Sequence, residues 1–380
     1  MTSVLIVDST YETCSEAVAR VFETFPLTVS GKKVVLKVNA LRACDPDREA
    51  IVTHPRVLKA VIEKLETLNP AEIIVGDSVG TESYGNSQHI FDTTGLAEAA
   101  GPYYRNLSLN LEMVSLKRPF EREVAVLKDI LEADVYISLP KMKTHGLTML
   151  SGAVKNNYGL LAGAQKSWYH FHAGDPALFA EILVEMYQLR PPDMVIMDGI
   201  LAMEGYGPCS PETRWVNKIL AADDAVALDT VEARMVGFGQ GDVPYLRICR
   251  DLGIGETDLE AIEVIGDGSP IKGYNKPTVA PESTYCYLSG VGGGKTSKAF
   301  YTDRVSQRPV FNADKCEPEC RDCVDACPAD ALSADTPPAL TSDACILCSA
   351  CREACGYGGI ELQPDPELVA GNLKLETGNS

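Results

Sequence analysis

The feature that most constrains this chain of 380 residues is the spacing of its last eight cysteines. These eight, out of thirteen in the chain, fall within the forty residues from Cys316 to Cys355. They form two runs that are separated by seventeen residues. Gaps of three, two and three residues divide the first run, and gaps of two, two and three divide the second. A loop this tight can bring three thiols to one point, so a fourth must come from elsewhere in the chain. The spacing predicts a segment that binds metal clusters.

The two runs resemble the cysteine motifs of two-cluster bacterial-type ferredoxins, in which the last cysteine of each run serves the other cluster. That resemblance implies two [4Fe–4S] clusters. One would be held by Cys316, Cys320, Cys323 and Cys355, and the other by Cys345, Cys348, Cys351 and Cys327. Two departures leave the number of ligands unchanged. The first gap has three residues rather than two, and Gly356 stands where proline is usual.

Two other uses of closely spaced cysteines suit this chain less well. Disulfide frameworks are typical of short secreted chains, and the N-terminal sequence has neither the basic start nor the cleavage site of a secretory signal. Zinc sites use pairs of cysteines two residues apart, but they do not need a third at the same interval and then a fourth. Iron–sulfur ligation is therefore the interpretation that we favour.

Composition predicts a globular and strongly acidic protein. Hydrophobic residues make up 45 % of the chain, and no stretch approaches eighteen apolar residues without a charge. We expect a cytoplasmic location, because a reducing compartment suits so many thiols. The net charge of −19 argues against nucleic acid and membranes as partners. After residue 311, thirteen acidic residues face four basic ones, which is either a solvated surface or a docking face for a redox partner protein such as a low-potential ferredoxin.

Short apolar runs alternate with amphipathic segments over most of the chain, which predicts an α/β fold with a mostly parallel sheet flanked by helices. Strands are predicted at 4–8, 33–38, 72–75, 112–116, 134–139, 193–197, 218–221 and 261–265. Helices are predicted at 12–25, 53–65, 88–100, 176–189, 223–236 and 245–252. The expected organisation is a substrate-binding main domain over 1–280, a linker over 281–308 and a small α+β ferredoxin-like domain over 309–380.

The predicted linker contains a glycine-rich run, 291–296, that partly matches a phosphate-binding loop. The match fails at its first glycine, where Ser289 stands, and the residues that follow are poor helix formers. A hinge is the preferred interpretation.

Polar residues follow several predicted strands, and ligands of open parallel sheets bind beside the carboxyl ends of the strands. The densest group contains Lys141, Lys143 and His145, and the run 151–159 adds Ser151, Lys155, Asn156, Asn157 and Tyr158. Lysines bind anions as point charges, and a helix beginning near Ser151 would offer free N–H groups. We therefore expect an anionic small-molecule substrate to bind to these residues together with Asp77 and Asp198. His145 and Lys143 are the expected catalytic residues, since imidazole transfers protons near neutral pH. The alternative is that the lysines pair with carboxylates and serve structure alone.

Four segments carry a resemblance that spans nearly the whole chain: LPKMKTH at 139–145, SGAVKNNYG at 151–159, ALDTVEARMVGFG at 227–239 and VPYLRICRDLGIG at 243–255. Followed by the paired cysteine runs, they resemble the family called domain of unknown function three-six-two. The resemblance implies an α/β main domain with iron–sulfur clusters and leaves the substrate open. Lys141, Lys143, His145, Lys155 and Asn156 match the family's run without a known role.

Together these patterns predict an iron–sulfur oxidoreductase that passes low-potential electrons through two clusters to an anionic organic substrate. A flavin is possible as a further cofactor, but no dinucleotide fingerprint follows a predicted strand. Two alternatives stay open. One is a non-enzymatic electron carrier of the ferredoxin type with an α/β docking domain, and the other is a redox or ligand sensor.

Overall fold

The computed structural model describes residues 2–80, 84–173, 176–277, 305–341 and 343–370. The glycine-rich run 291–296 and most of the predicted linker lie outside the described residues. Among the described residues, no helix has the length and apolar character needed to cross a membrane.

Strands of the first 277 residues are β1 (Thr2–Asp8), β2 (Lys33–Val38), β3 (Glu72–Gly76), β4 (Leu111–Leu116), β5 (Arg122–Leu127), β6 (Val135–Leu139), β7 (Lys141–His145), β8 (Met149–Leu150), β9 (Met194–Met203), β10 (Thr213–Ala222) and β11 (Ile262–Ile265). Helices of the same region are α1 (Cys14–Thr24), α2 (Pro55–Glu66), α3 (Ser87–Thr93), α4 (Leu96–Ala100), α5 (Lys128–Leu131), α6 (Ala153–Asn156), α7 (Gln165–Ala173), α8 (Pro176–Leu189), α9 (Ala225–Met235) and α10 (Pro244–Leu252). The cysteine-rich segment 305–370 contains β12 (Gln307–Phe311), β13 (Ile360–Pro364) and the short helices Asp322–Asp325 and Ala350–Ala354.

The main sheet has nine strands and is mixed but mostly parallel. Its path runs β11-β1-β10-β9-β6-β2-β3, with β7 paired to β9 and β8 paired to β7. Four neighbouring strands run parallel to one another, namely β9, β6, β2 and β3. Strand β10 runs antiparallel to both β1 and β9. The predicted α/β class is therefore confirmed.

Alternation along each strand divides the apolar core into two layers, because successive side chains of a strand point to opposite faces. In β2, Val35 joins one layer while Val34 and Leu36 join the other. Helices α8, α9 and α10 cover the first face, and α1 and α2 cover the second. Lys37 has the same parity as Val35, so its side chain leaves the sheet on the first face at the end of the strand.

Four local predictions differ from the structure. The predicted helix 88–100 is divided into α3 and α4, since Gly95 adopts a left-handed φ of 72° between them. The predicted strand 112–116 forms a separate antiparallel hairpin, β4 with β5. Residues 141–145, expected to follow a strand, are themselves the strand β7, which pairs with β9. Asp198 lies within β9, and not beyond its end.

A buried ion pair connects β7 with β9. Lys141 Nζ lies 2.7 Å from Asp198 Oδ2, and both side chains are fully buried. The ammonium also donates to the Tyr11 hydroxyl (2.9 Å), and the His54 N–H donates to the carboxylate (2.9 Å). The pair thus ties two strands to the loop after β1 and to the start of α2.

We expect Asp198→Ala to lower the free energy of unfolding by about 3–5 kcal/mol, because it leaves the Lys141 ammonium buried beside no carboxylate. Equilibrium unfolding in denaturant measures the loss. The matched control is Asp8→Ala: Asp8 is exposed and lies 2.7 Å from Lys218, so its removal should cost less than about 1 kcal/mol. Equal losses in the two variants would contradict a structural role for the buried pair.

Candidate functional site

A cavity beside the carboxyl ends of β2 and β3 is lined by four lysines, and we call it the lysine cavity. Its volume is about 80 Å³. The four lysines are Lys37 from β2, Lys143 from β7, Lys155 from α6 and Lys166 from α7. The other polar lining residues are Asn39, Asp77, Ser78, Tyr84, His145, Ser151, Asn156, Tyr158 and His170. Four cations therefore converge in an otherwise acidic protein.

Asp77 is the single carboxylate among the described residues that line this cavity, and Lys37 neutralises it. Lys37 Nζ lies 2.7 Å from Asp77 Oδ1, with both side chains buried. The other oxygen of Asp77 accepts the N–H of Ala40 at 2.8 Å. Among the described residues, no second carboxylate lines the cavity to compensate the three remaining lysines.

The three remaining lysines meet neutral acceptors or none. Lys143 Nζ donates to Asn39 Oδ1 (2.6 Å) and to the carbonyl of Ile51 (2.9 Å). Lys166 Nζ donates to Ser78 Oγ (2.7 Å), to the Ser78 carbonyl (3.1 Å) and to the carbonyl of Leu161 (2.8 Å). Lys155 Nζ lies 5.9 Å from the centre of the Tyr158 ring, and no hydrogen bond or ion pair joins it to the described part of the chain.

Burial shifts the titration of these amines toward neutral pH. It lowers the pKa of Lys143 to about 8 and the pKa values of Lys155 and Lys166 to about 7. Repulsion from Lys143 lowers the pKa of Lys155 further, and repulsion from Lys37 does the same for Lys166. A bound anion would favour the protonated forms, so anion binding and proton uptake are coupled here.

His145 enters the cavity as a neutral hydrogen-bond donor. Its Nδ1 accepts the N–H groups of Leu147 (3.1 Å) and Thr148 (3.3 Å), so the ring proton resides on Nε2. Burial, with the charge of Lys155 next in importance, holds the pKa of His145 well below its ordinary value. These surroundings argue against the predicted proton transfer by this imidazole near neutral pH and favour donation from Nε2–H to an anion.

Asp229 occupies the helix N-terminus that the sequence offered to a substrate. Its carboxylate accepts the N–H groups of Ala153 (2.6 Å) and Val154 (3.0 Å), and Tyr245 Oη donates to it at 3.0 Å. A Cβ on Gly152 would lie 2.4 Å from this carboxylate, so the close approach requires glycine there. Asp229 therefore holds helix α6, which carries Lys155 and Asn156 into the cavity.

The structure brings most of the predicted substrate-binding residues to this cavity. Those lining it are Asp77, Lys143, His145, Ser151, Lys155, Asn156 and Tyr158. Lys141 and Asp198 instead neutralise each other below it. The Asn157 amide donates to the carbonyl of Arg190 (2.8 Å) and accepts from Tyr136 Oη (2.8 Å), which fixes the end of α8. The positions of these three residues give no support to the predicted binding role.

Sequence reasoning missed one of the cavity lysines, Lys37, and the aspartate that supports the cavity, Asp229. Lys37 could have been found, since it is a lysine near the end of an otherwise mostly apolar central strand. Asp229 lies some seventy residues away from the helix that it caps, and that spacing predicts no contact.

The eight clustered thiols border two further cavities. Cys327, Cys345, Cys348 and Cys351 line the first, which we call the inner thiol cavity. Cys316, Cys320, Cys323 and Cys355 line the second, the outer thiol cavity. This grouping is the same as the two sets of four cysteines that the ferredoxin resemblance implies. Among the described residues, no three His, Cys, Asp or Glu side chains form a group that could hold a metal ion, so the thiols surround a space and do not meet at one point.

The segment 163–166 separates the inner thiol cavity from the lysine cavity. Ala164 lines the thiol side, where its N–H donates to the carbonyl of Leu347 at 2.9 Å. Lys166, two residues further, lines the lysine side. Tyr84 also lines the lysine cavity and packs against Ala164 and Leu347. The two cavities thus share one short wall.

A pair of charged residues fixes the cysteine-rich segment to the main sheet region. The Glu353 carboxylate accepts the N–H of Ser87 (3.1 Å), the Ser87 hydroxyl (2.6 Å) and the Asn106 amide (2.9 Å). Arg352 donates to the carbonyl of Tyr84 at 2.8 Å. These contacts hold the inner thiol cavity against the shared wall.

Asp229→Ala should speed hydrogen exchange of the amides of Ala153 and Val154 by about tenfold or more, since loss of a cap costs roughly 1 kcal/mol or more. Mass spectrometry of peptic fragments measures this. Asp224→Ala is the control, because Asp224 caps α9 through Val226 and Ala227 and does not touch α6. Exchange in α6 that responded equally to both substitutions would contradict the positioning role.

Lys155→Met should raise the free energy of unfolding at pH 7 by up to about 4 kcal/mol, because the folded pKa of about 7 lies far below the value of about 10.4 for a free lysine and each tenfold change in proton affinity is worth about 1.4 kcal/mol. The penalty is complete below pH 7 and fades as the pH rises toward the pKa of the unfolded chain, so the gain should be smaller at pH 9. Denaturant unfolding at both pH values measures it. Lys59→Met, on the exposed face of α2, should change little. A destabilised Lys155→Met protein at pH 7 would show that this charge is compensated.

Comparison with known proteins identifies relatives of this region. A family model described as domain of unknown function (DUF362) matches residues 34–234, which include all four cavity lysines. A thylakoid-associated protein of Synechocystis sp. is 32 % identical over 238 residues, 60 % of this chain and 71 % of its own length. The lactate racemase apoprotein of Thermoanaerobacterium thermosaccharolyticum aligns with a TM-score of 0.40 at 14 % identity, over 59 % of this chain and 55 % of that chain. A protein from Thermotoga maritima aligns with a TM-score of 0.37 at 14 % identity, over 58 % of this chain and 57 % of its own. The chain spans little more than half the length of either solved structure.

Proposed function

This chain belongs to the DUF362 family, and from that premise we propose that it is an iron–sulfur oxidoreductase acting on an anionic small organic substrate. The observation that carries the proposal is the shared wall. Residues 163–166 contribute to a cavity bordered by four thiols on one side and to a cavity with three uncompensated lysines on the other. Such proximity suits electron delivery to a bound anion.

We assign one [4Fe–4S] cluster to each group of four thiols. When bound, each cluster would exchange one electron at a time, and the pair matches the two electrons that most organic reductions need. The chain supplies surroundings that suit thiolates: Ala331 N–H points at Cys327 Sγ (3.4 Å), and Gly359 N–H points at Cys355 Sγ (3.3 Å). Cys327 and Cys355 are the last cysteines of their runs, and each is assigned to the cluster held by the other run. Backbone donors of this kind favour the anionic sulfur and help to set the reduction potential.

In the lysine cavity, Lys143, Lys155 and Lys166 bind the substrate through their excess charge. A reduction by two electrons also consumes two protons. Lys155 Nζ and Lys166 Nζ can provide them, because burial brings their pKa values to about 7, where an ammonium is a competent acid. Lys143 and the Nε2–H of His145 orient the anion. The proposal thus transfers the proton-donating role from His145 to the lysines.

The electron donor is proposed to be a redox partner protein with a basic face, working in the reducing cytoplasm. The outer thiol cavity is lined by Glu317 and by Tyr357, which is 53 % exposed. Lys315 also lines it, and the carboxylates of Glu319, Asp322 and Asp325 are exposed along the same cysteine run. Association should therefore weaken as the salt concentration rises.

The cluster assignment predicts that Cys348→Ser removes about half of the roughly eight iron atoms from anaerobically purified protein and changes the EPR spectrum of its reduced state. Cys14→Ser is the control, because Cys14 is buried in the main region near Tyr11 and borders neither thiol cavity. Unchanged iron and an unchanged spectrum in Cys348→Ser would refute the assignment. Loss of iron from both variants would point to misfolding instead.

The same preparations distinguish an enzyme from an electron carrier. Chemically reduced protein should be reoxidised by one member of a panel of small unsaturated or keto acids, and Lys143→Ala combined with Lys155→Ala should abolish this while leaving the iron content unchanged. Electron exchange with ferredoxin that is equal in both proteins, with no acid acting as oxidant, would favour the carrier.

A further inference from the structure

We propose that the lysine cavity is built for a small organic dianion or trianion, a di- or tricarboxylate with its charged groups at separate ends. This inference rests on the proposed anion-binding function and adds the class of substrate. It excludes monocarboxylates and phosphate esters as the preferred ligands.

The charge of the cavity calls for more than one negative group. Lys37 and Asp77 neutralise each other at 2.7 Å, so the excess resides on Lys143, Lys155 and Lys166. Enclosed charges of one sign repel each other strongly, because little water is present to screen them. A monoanion would leave two of these ammonium groups uncompensated, whereas a dianion or trianion would compensate two or all three.

The lysines place this charge at two separate positions, which we call the two poles, one at Lys143 and the other at Lys166. Lys143 is anchored to Asn39, which follows β2, and Lys166 is anchored to Ser78, which follows β3. These two strands are parallel neighbours, and strands of one sheet lie about 4.7–4.9 Å apart. Lys155 Nζ lies 5.9 Å from the centre of the Tyr158 ring, and no described residue anchors it to the end of either strand. Two anchored ammonium groups beyond the ends of neighbouring strands suit a small molecule that carries charged groups at separate ends.

The available donors also differ from those of phosphate sites. Phosphates are commonly bound by helix N-termini or by bidentate arginines. Here Asp229 already takes the N–H groups of Ala153 and Val154, and the described lining residues include no arginine. The volume of about 80 Å³ is room for on the order of six water molecules, which suits an acid of about four carbons and not a nucleotide.

Isothermal titration calorimetry at pH 6.5 tests the inference with three groups of probes. The first group contains the dicarboxylates malonate, succinate and glutarate and the tricarboxylate citrate. The second contains the monocarboxylates acetate, propionate and butyrate, and the third is inorganic phosphate. At least one di- or tricarboxylate should bind at least about tenfold more tightly than every monocarboxylate and phosphate, because each monoanion leaves a pole unfilled. Raising the pH to 9 should weaken that binding, since Lys155 and Lys166 lose their protons above their pKa values of about 7.

Variants locate the effect at the lysines of the cavity. Lys155→Met and Lys166→Met should each weaken binding of the preferred acid by about tenfold or more, while Lys59→Met should leave it unchanged. Equal affinities for succinate and butyrate, or tightest binding of phosphate through the same lysines, would overturn the dianion inference but retain an anion site. Absence of any anion binding, with no effect of either lysine variant, would overturn the proposed substrate site as well.

Discussion

The convergence of four lysines on one carboxylate, three of them buried and Lys155 partly buried, is the constraint on which this structure depends. Among the described residues, only Lys37 has an ionic partner in the cavity, at 2.7 Å from Asp77, while Lys143 and Lys166 donate to neutral oxygens and Lys155 makes no hydrogen bond. Such an arrangement opposes folding, because buried charges without counter-ions are costly. The two-layered core of the mixed sheet offsets that cost. Stability is thus exchanged for a site that attracts anions.

Buried lysines with and without a carboxylate partner differ in what their ammonium groups contact. Lys141 is as deeply buried as Lys143, but Asp198, Tyr11 and the surrounding strands satisfy it completely. It therefore holds β7 to β9 and leaves nothing for a ligand. Two residues along the same strand, Lys143 has the same side chain and only neutral acceptors. The presence of a carboxylate partner, and not burial, separates the two roles.

The cysteine-rich segment is attached beside the lysine cavity, against segment 163–166. Glu353 and Arg352 form hydrogen bonds with Ser87, Asn106 and Tyr84. The Ala164 N–H donates to the carbonyl of Leu347. Segment 163–166 can therefore serve both sites only while these contacts persist. Within the described residues, the arrangement places four thiols on one side of this segment and the lysine cavity on the other, which neither part of the chain would provide alone.

Local patterns in the sequence determined the alternating strands and helices, the grouping of the cysteines and the polar residues beside Lys143, since each of these follows from short-range spacing. They could not reveal that Asp229 caps α6, that Lys166 reaches Ser78, or that Asp198 neutralises Lys141, because those partners are distant in the chain. Only the tertiary structure decided which lysines remain without a counter-ion. Whether a lysine has a counter-ion depends on the contacts that form when strands from different parts of the chain meet at one edge of the sheet. The identity of the residue alone does not determine it.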